Sequence, residues 1–270
     1  MVKTFEKNTF SKRLKSMLAV DFTRMFTTPF FYIMLGISLV IPILILVMTT
    51  MMDGSVSVNP QTGVASEPME GFDNVWQIIG EISGNSANAG MNMSLVSMCN
   101  INLLYFAIIV LTSIFVADDF RSGYSKNLFT VRAKKTDYVI SKTVVCFVSS
   151  ALMFIAFFIG SIIGGKIAGL PFEMVGFNAG NVILSLLSKI LLGLAFVALC
   201  LLASVIGKQK SWLSMIVSFG MGMLLFTMIP MITPINSTVI NLLLCTVGGL
   251  AFSFLFGAVS DHVLSKSSLV

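Results

Sequence analysis

The 270-residue chain reads as an all-α membrane protein with six transmembrane helices, on three grounds. Hydrophobic residues form 56% of it and charged residues 11%, against about 45–50% and about 25% in soluble domains. The apolar residues gather into runs of spanning length. The basic residues fall between those runs and almost wholly on one side. A soluble fold could not hide so much apolar surface. The mean hydropathy of +0.94 also excludes a disordered chain, a collagen-like chain and a nucleic-acid-binding domain with a mostly polar exterior.

The first 28 residues hold Phe10, Leu14, Met17, Leu18, Phe22 and Met25 at helical spacing, with Lys12, Arg13 and Lys15 on other faces. This predicts an N-terminal amphipathic interfacial helix, its apolar side at the acyl boundary and its cations near anionic headgroups. Six runs then qualify as spans of about 20 residues: Pro29–Met52, Cys99–Ala117, Tyr138–Gly164, Val182–Ile206, Trp212–Ile232 and Val239–Val259. The first run is too long for a signal-peptide core and lacks a small-residue cleavage site, so it is expected to stay in the mature chain. Pro42 and Pro230 are expected to bend their helices.

Six spans put both termini on one side, and 15 of the 17 basic residues lie there, which makes that side cytoplasmic. The connection Asp53–Met93 has no Lys or Arg but carries Asp53, Glu67, Glu70, Asp73 and Glu81, as an external segment would. Within it Phe72, Val75, Trp76, Ile79 and Ile82 suggest a short helix on the outer interface, with Trp76 as its anchor or a substrate contact. The domain plan is therefore residues 1–28, a six-span domain over 29–259 and a cytoplasmic tail over 260–270, located in the cell membrane. Cys99, Cys146, Cys200 and Cys245 show neither metal-ligand nor CxxC spacing and read as buried thiols.

The connection after the second span, residues 118–137, is dense in charge. Tyr124, Leu128, Phe129 and Val131 give it an apolar stripe, and Gly123 permits a sharp turn. That combination suits an amphipathic helix docked in a groove. Asp119, Arg121, Gly123, Asn127, Leu128, Arg132, Tyr138 and Lys142 together resemble the acidic, Gly and Asn-Leu pattern, followed by Arg and Lys, of type-2 ABC exporter permeases. Asp119 stands where that pattern more usually has Glu, and Val131 where a Pro often stands. The six spans and the N-terminal helix are similar to that family as well.

The resemblance implies a permease that pairs with a second permease subunit, identical or related, and with two cytoplasmic nucleotide-binding ATPase subunits. Asp119–Asp137 would be a cytoplasmic coupling helix between the second and third spans. Arg121 and Arg132 would supply ion pairs, Gly123 the turn, and Asn127 a cap or brace. Lys142 would join them or serve only as a positive-inside anchor. ATP and magnesium would be bound by the partner ATPases, with no cofactor in this chain.

The chain's own chemistry fits that division. Gly160–Lys166 matches G-x-x-x-x-G-K, but Ile167 replaces the Ser or Thr that binds magnesium and the match ends a span. Gly160, Gly164, Gly165 and Gly169 are read instead as close-packing positions. The sole histidine, His262, has no metal-binding or catalytic company, so no enzyme activity, catalytic residue or metal site is expected. Lys189 is the one charge well inside a span; it either snorkels or lines a substrate path with Asn100 and Asn102, whose other use is interhelical hydrogen bonding. Competing readings are an ion-coupled secondary transporter, which would normally place carboxylates near the midplane, and a non-transporting sensor or immunity protein. The expected cargo is a peptide, antibiotic or lipid-like compound moved outward.

Overall fold

The structure, a computed structural model, describes residues 10–56, 71–80, 99–131, 134–208, 210–226 and 229–266. Among these every regular element is helical. Helix α1 is Phe10–Thr27. It stops because Thr28 precedes a proline and is driven to an extended backbone, with φ −80° and ψ 122°. Pro29 then starts α2, Pro29–Met52, where its fixed φ suits a first helical turn.

A short 3-10 turn at Ile101–Leu103, capped by the Asn100 side chain, leads into α3, Leu104–Arg121. Helix α4 is Tyr124–Val131 and α5 is Lys135–Ala168. Helix α6, Ala179–Gly207, opens with a reciprocal cap between Asn178 and Asn181. Helices α7, Ser211–Phe226, α8, Ile229–Ile232, and α9, Val239–Lys266, complete the described chain.

Among the described residues, five segments are long and apolar enough to cross a membrane: α2, Ile101–Arg121, α5, α6 and α9. Of the expected span Trp212–Ile232, the described residues are helical over Ser211–Phe226 and again over Ile229–Ile232, and residues 227 and 228 lie outside the described residues.

The tightest helix pair is α2 on α5. A Cβ on Gly160 would lie 2.2 Å from the Leu39 carbonyl oxygen, and one on Gly164 would lie 2.8 Å from the Ile43 Cα. These glycines are notches that admit the α2 backbone, as small residues do between helices in lipid. Gly169 plays another part, closing α5 with a left-handed φ of 72°.

One buried cluster defines an end of the bundle. Met17 of α1, Val116 and Phe120 of α3, Tyr138 and Val139 of α5, Leu201 and Val205 of α6, and Leu264 of α9 pack together there. At the opposite end Asn181 donates to the Ser237 carbonyl (3.0 Å) and Asn241 to that of Ile232 (3.0 Å). Between them, Gly207 abuts Ser214, Gly222 abuts Ile109 and Phe196, and Lys189 is bonded to Thr233. The α7–α8 segment thus carries the chain from one end of α6 to the other.

The segment expected to lie on the outer interface is instead inside the protein. Residues Val75–Ile78 form one 3-10 turn, and Phe72, Val75, Trp76 and Ile79 are all buried. Gly165 is the reason: Val75 lies where its Cβ would stand, and this notch lets the turn seat on α5. Trp76 donates its indole N–H to the Phe172 carbonyl at 3.1 Å. Ile82 lies outside the described residues, as do 57–70.

Candidate functional site: a buried charge cluster at the basic end

Helix α1 turns three residues, Met17, Asp21 and Met25, toward the protein, four apart along one seam. Asp21 is fully buried between two methionines. An isolated carboxylate there would be expensive, so it needs a partner of opposite charge. Lys142 of α5 supplies it, with Nζ 2.8 Å from Asp21 Oδ1, and the Ser141 hydroxyl donates to Asp21 Oδ2 at 2.6 Å.

The same Lys142 reaches Asp119 of α3, Nζ to Oδ2, at 2.7 Å. Asp119 accepts two further bonds, from Arg24 Nη1 of α1 (2.6 Å) and the Tyr138 hydroxyl of α5 (2.9 Å). Two cations and two carboxylates therefore balance, and each carboxylate has several donors. That is the condition under which buried ions persist. Aromatic rings cover the cations: Lys142 Nζ is 4.1 Å from the Phe115 ring centre, and the Arg24 guanidinium carbon is 4.1 Å from that of Tyr124. A second ion pair, Arg13 to Asp137 at 2.9 Å, joins α1 to the first turn of α5.

Charge tuning follows from this company. Burial works against the Arg24 charge, but Asp119, with Tyr124 and Asp21, outweighs it and holds the guanidinium above its ordinary value. Burial raises the Tyr124 hydroxyl, with Asp21 and Asp119 adding to the rise and Arg24 working against it.

The cluster fixes the short helix that follows. Ser122 closes α3 by donating its N–H to the Asp118 carbonyl at 2.8 Å. Gly123 then adopts φ 75°, a left-handed turn that glycine enters without strain. Asn127 donates its N–H to the Gly123 carbonyl (3.1 Å), and the Ser125 hydroxyl bonds to the Asp119 carbonyl (3.2 Å). Residues 119–137 are therefore not one helix: Asp119 ends α3, Asp137 begins α5, and only Tyr124–Val131 forms the element between.

Part of the expected apolar stripe packs against the chain itself, and the Val131 side chain lies outside the described residues. Phe129 packs edge-on against Tyr138 at 5.4 Å, and Leu128 also lies on the basic-end cluster. Arg121, Lys126, Asn127 and Thr130 form the exposed side. Among the residues singled out by sequence, Asp119, Tyr138 and Lys142 come together, while Arg121 and Asn127 face outward. Arg132 lies outside the described residues. Asp21 and Ser141 were missed, and Arg24 was counted only as a basic residue.

Lys189 is elsewhere and fully buried, so it does not snorkel. It donates to the Thr233 carbonyl and hydroxyl, both at 2.7 Å, while its own carbonyl accepts from Tyr105 at 2.8 Å. Asn100 and Asn102 are buried too, Asn100 serving as the cap at the start of the 3-10 turn.

Helices of spanning length, with polar chemistry gathered at one end, define a multi-pass helical membrane protein. A family model described as ABC-2 family transporter protein matches residues 18–224, about three quarters of the chain, and the chain belongs to that family. No curated protein and no solved structure matches it.

Proposed function

We propose that the chain is the transmembrane permease subunit of an ATP-binding cassette exporter, moving a hydrophobic or amphipathic compound outward. Two cytoplasmic ATPase subunits would bind ATP and magnesium and power it, and a second permease, identical or related, would complete the path. The α7–α8 segment counts as a sixth crossing in this reading, so that both termini are cytoplasmic, on the side of the basic end.

The observation that carries the proposal is the Asp21–Lys142–Asp119–Arg24 cluster. It ties the interfacial helix α1, the end of α3, the start of α5 and the short helix α4 into one rigid body. The outward side of α4, with Lys126 and Asn127, and Arg121 at the end of α3 are exposed to meet a partner. Displacing α4 would then drag α1 and two long helices together, so ATP-driven motion would reach the membrane. Asp119 and Lys142 transmit through that body rather than touching the ATPase. Inverting a 1:99 equilibrium takes roughly 5.5 kcal/mol of differential interaction, within reach of several charged contacts.

The test is purification in mild detergent with the ATPase candidates co-expressed. A nucleotide-binding subunit is expected to co-purify, and Arg121→Ala or Gly123→Val should leave ATP hydrolysis running while transport into vesicles falls. Recovery of the permease alone, under conditions that preserve membrane complexes, would overturn the reading.

A further inference from the structure

A cleft of about 230 Å³ opens beside the elbow between α1 and α2, against the last turns of α3. Its polarity is graded. On its apolar wall Leu111 is buried and Phe30 and Ile114 partly so, while Thr28 and Asp118 are exposed and with half-buried Arg24 make the polar rim. The elbow is where the chain passes from the interfacial helix into the first span, so the rim lies at headgroup depth and the walls at acyl depth.

The rim displays both signs of charge. Arg24 commits Nη1 to Asp119 but keeps 27% of its side chain exposed at the cleft. Asp118 is exposed, and its carboxylate has no partner among the described residues. A purely anionic headgroup would meet Asp118, and a purely cationic one would meet Arg24. A headgroup with phosphate and ammonium a few bonds apart satisfies both. A primary ammonium can also donate hydrogen bonds to Asp118, which a quaternary one cannot. The cleft is smaller than the roughly 300–1,000 Å³ of pockets that enclose a drug-sized ligand. It therefore suits a headgroup and the top of one chain, the remainder staying in the bilayer.

We propose that this cleft is a binding site for a bilayer phospholipid bearing phosphate and a primary ammonium, with phosphate on Arg24, ammonium on Asp118 and the upper acyl chain against Leu111 and Ile114. Such a lipid sits against the charge cluster and holds the elbow. Binding needs neither ATP nor a partner subunit, so the proposal stands or falls independently of the export reading.

The test uses the full chain in nanodiscs, with photoactivatable acyl-chain analogues of phosphatidylethanolamine and phosphatidylglycerol, and maps the labelled peptides. The ethanolamine lipid is expected to label the peptides holding Phe30 and Ile114 about two- to fivefold more than the glycerol lipid, the range for an exposed ion pair. Asp118→Asn, at an exposed position outside the buried cluster, should level the two. Ile114→Trp should fill the cleft and lower labelling by both. Equal labelling in the unaltered chain, or an ethanolamine preference that survives Asp118→Asn, would overturn the proposal, and both readouts remain even if Ile114→Trp fails to fold.

Discussion

Lys142 and Asp21 lie 2.8 Å apart with both side chains withdrawn from solvent, joining α5 to α1 across 121 residues of sequence. The pair is meaningful only with Asp119, because one cation serves two buried carboxylates. Truncating any member leaves the buried cluster one charge out of balance, and that asymmetry makes it testable.

Lys142→Met strands Asp21 without its cation and leaves Asp119 to Arg24. Breaking a buried ion pair from one side costs about 3–5 kcal/mol, so thermal unfolding in detergent should show a large drop in Tm. Adding Asp21→Asn removes one stranded charge and should recover part of the loss. A single variant as stable as the parent would contradict the cluster.

The glycines of α2 and α5 make opposite predictions. Gly160→Ala drives a methyl into the Leu39 carbonyl and should cost about 1–3 kcal/mol, the usual range for overpacking. Gly36 has nothing within 4 Å of an added Cβ, so Gly36→Ala should be neutral or stabilise by about 0.5–1 kcal/mol through helix propensity. Unfolding of the two variants side by side checks the packing of α2 on α5.

At Lys189 the outcome depends on which partner is changed. A cation inside a span costs roughly 2.5–3.5 kcal/mol at the helix centre. Lys189→Met removes that burden at similar volume, and expression and Tm should hold or rise. Thr233→Val keeps the cation but deletes one of its two acceptors, and should cost about 1–3 kcal/mol. If Lys189→Met folds well yet transports poorly, Lys189 belongs to the path and not to the scaffold.

The sequence made the long helices legible because lipid demands unbroken apolar runs. It also made legible Asp119, Tyr138 and Lys142, through their pattern. Asp21 could have been found, since it falls midway between Met17 and Met25 on the buried seam of α1. A carboxylate there demands a cation, and Lys142 stands close to the start of an apolar run. Other features depend on contacts far apart in the chain. That Val75 seats in the notch of Gly165, burying Trp76, follows from a missing Cβ some 90 residues away. The cluster's geometry likewise needs three helices in register, which local periodicity does not encode.

The outward side of α4 is where an ATPase would have to be felt, and a photoreactive residue in place of Lys126 tests that most directly. In the intact complex it should crosslink to the nucleotide-binding subunit, while the same residue at Phe254, 80% exposed on α9, should not. An intact, ATP-hydrolysing complex that gives no crosslink from position 126 would contradict the account.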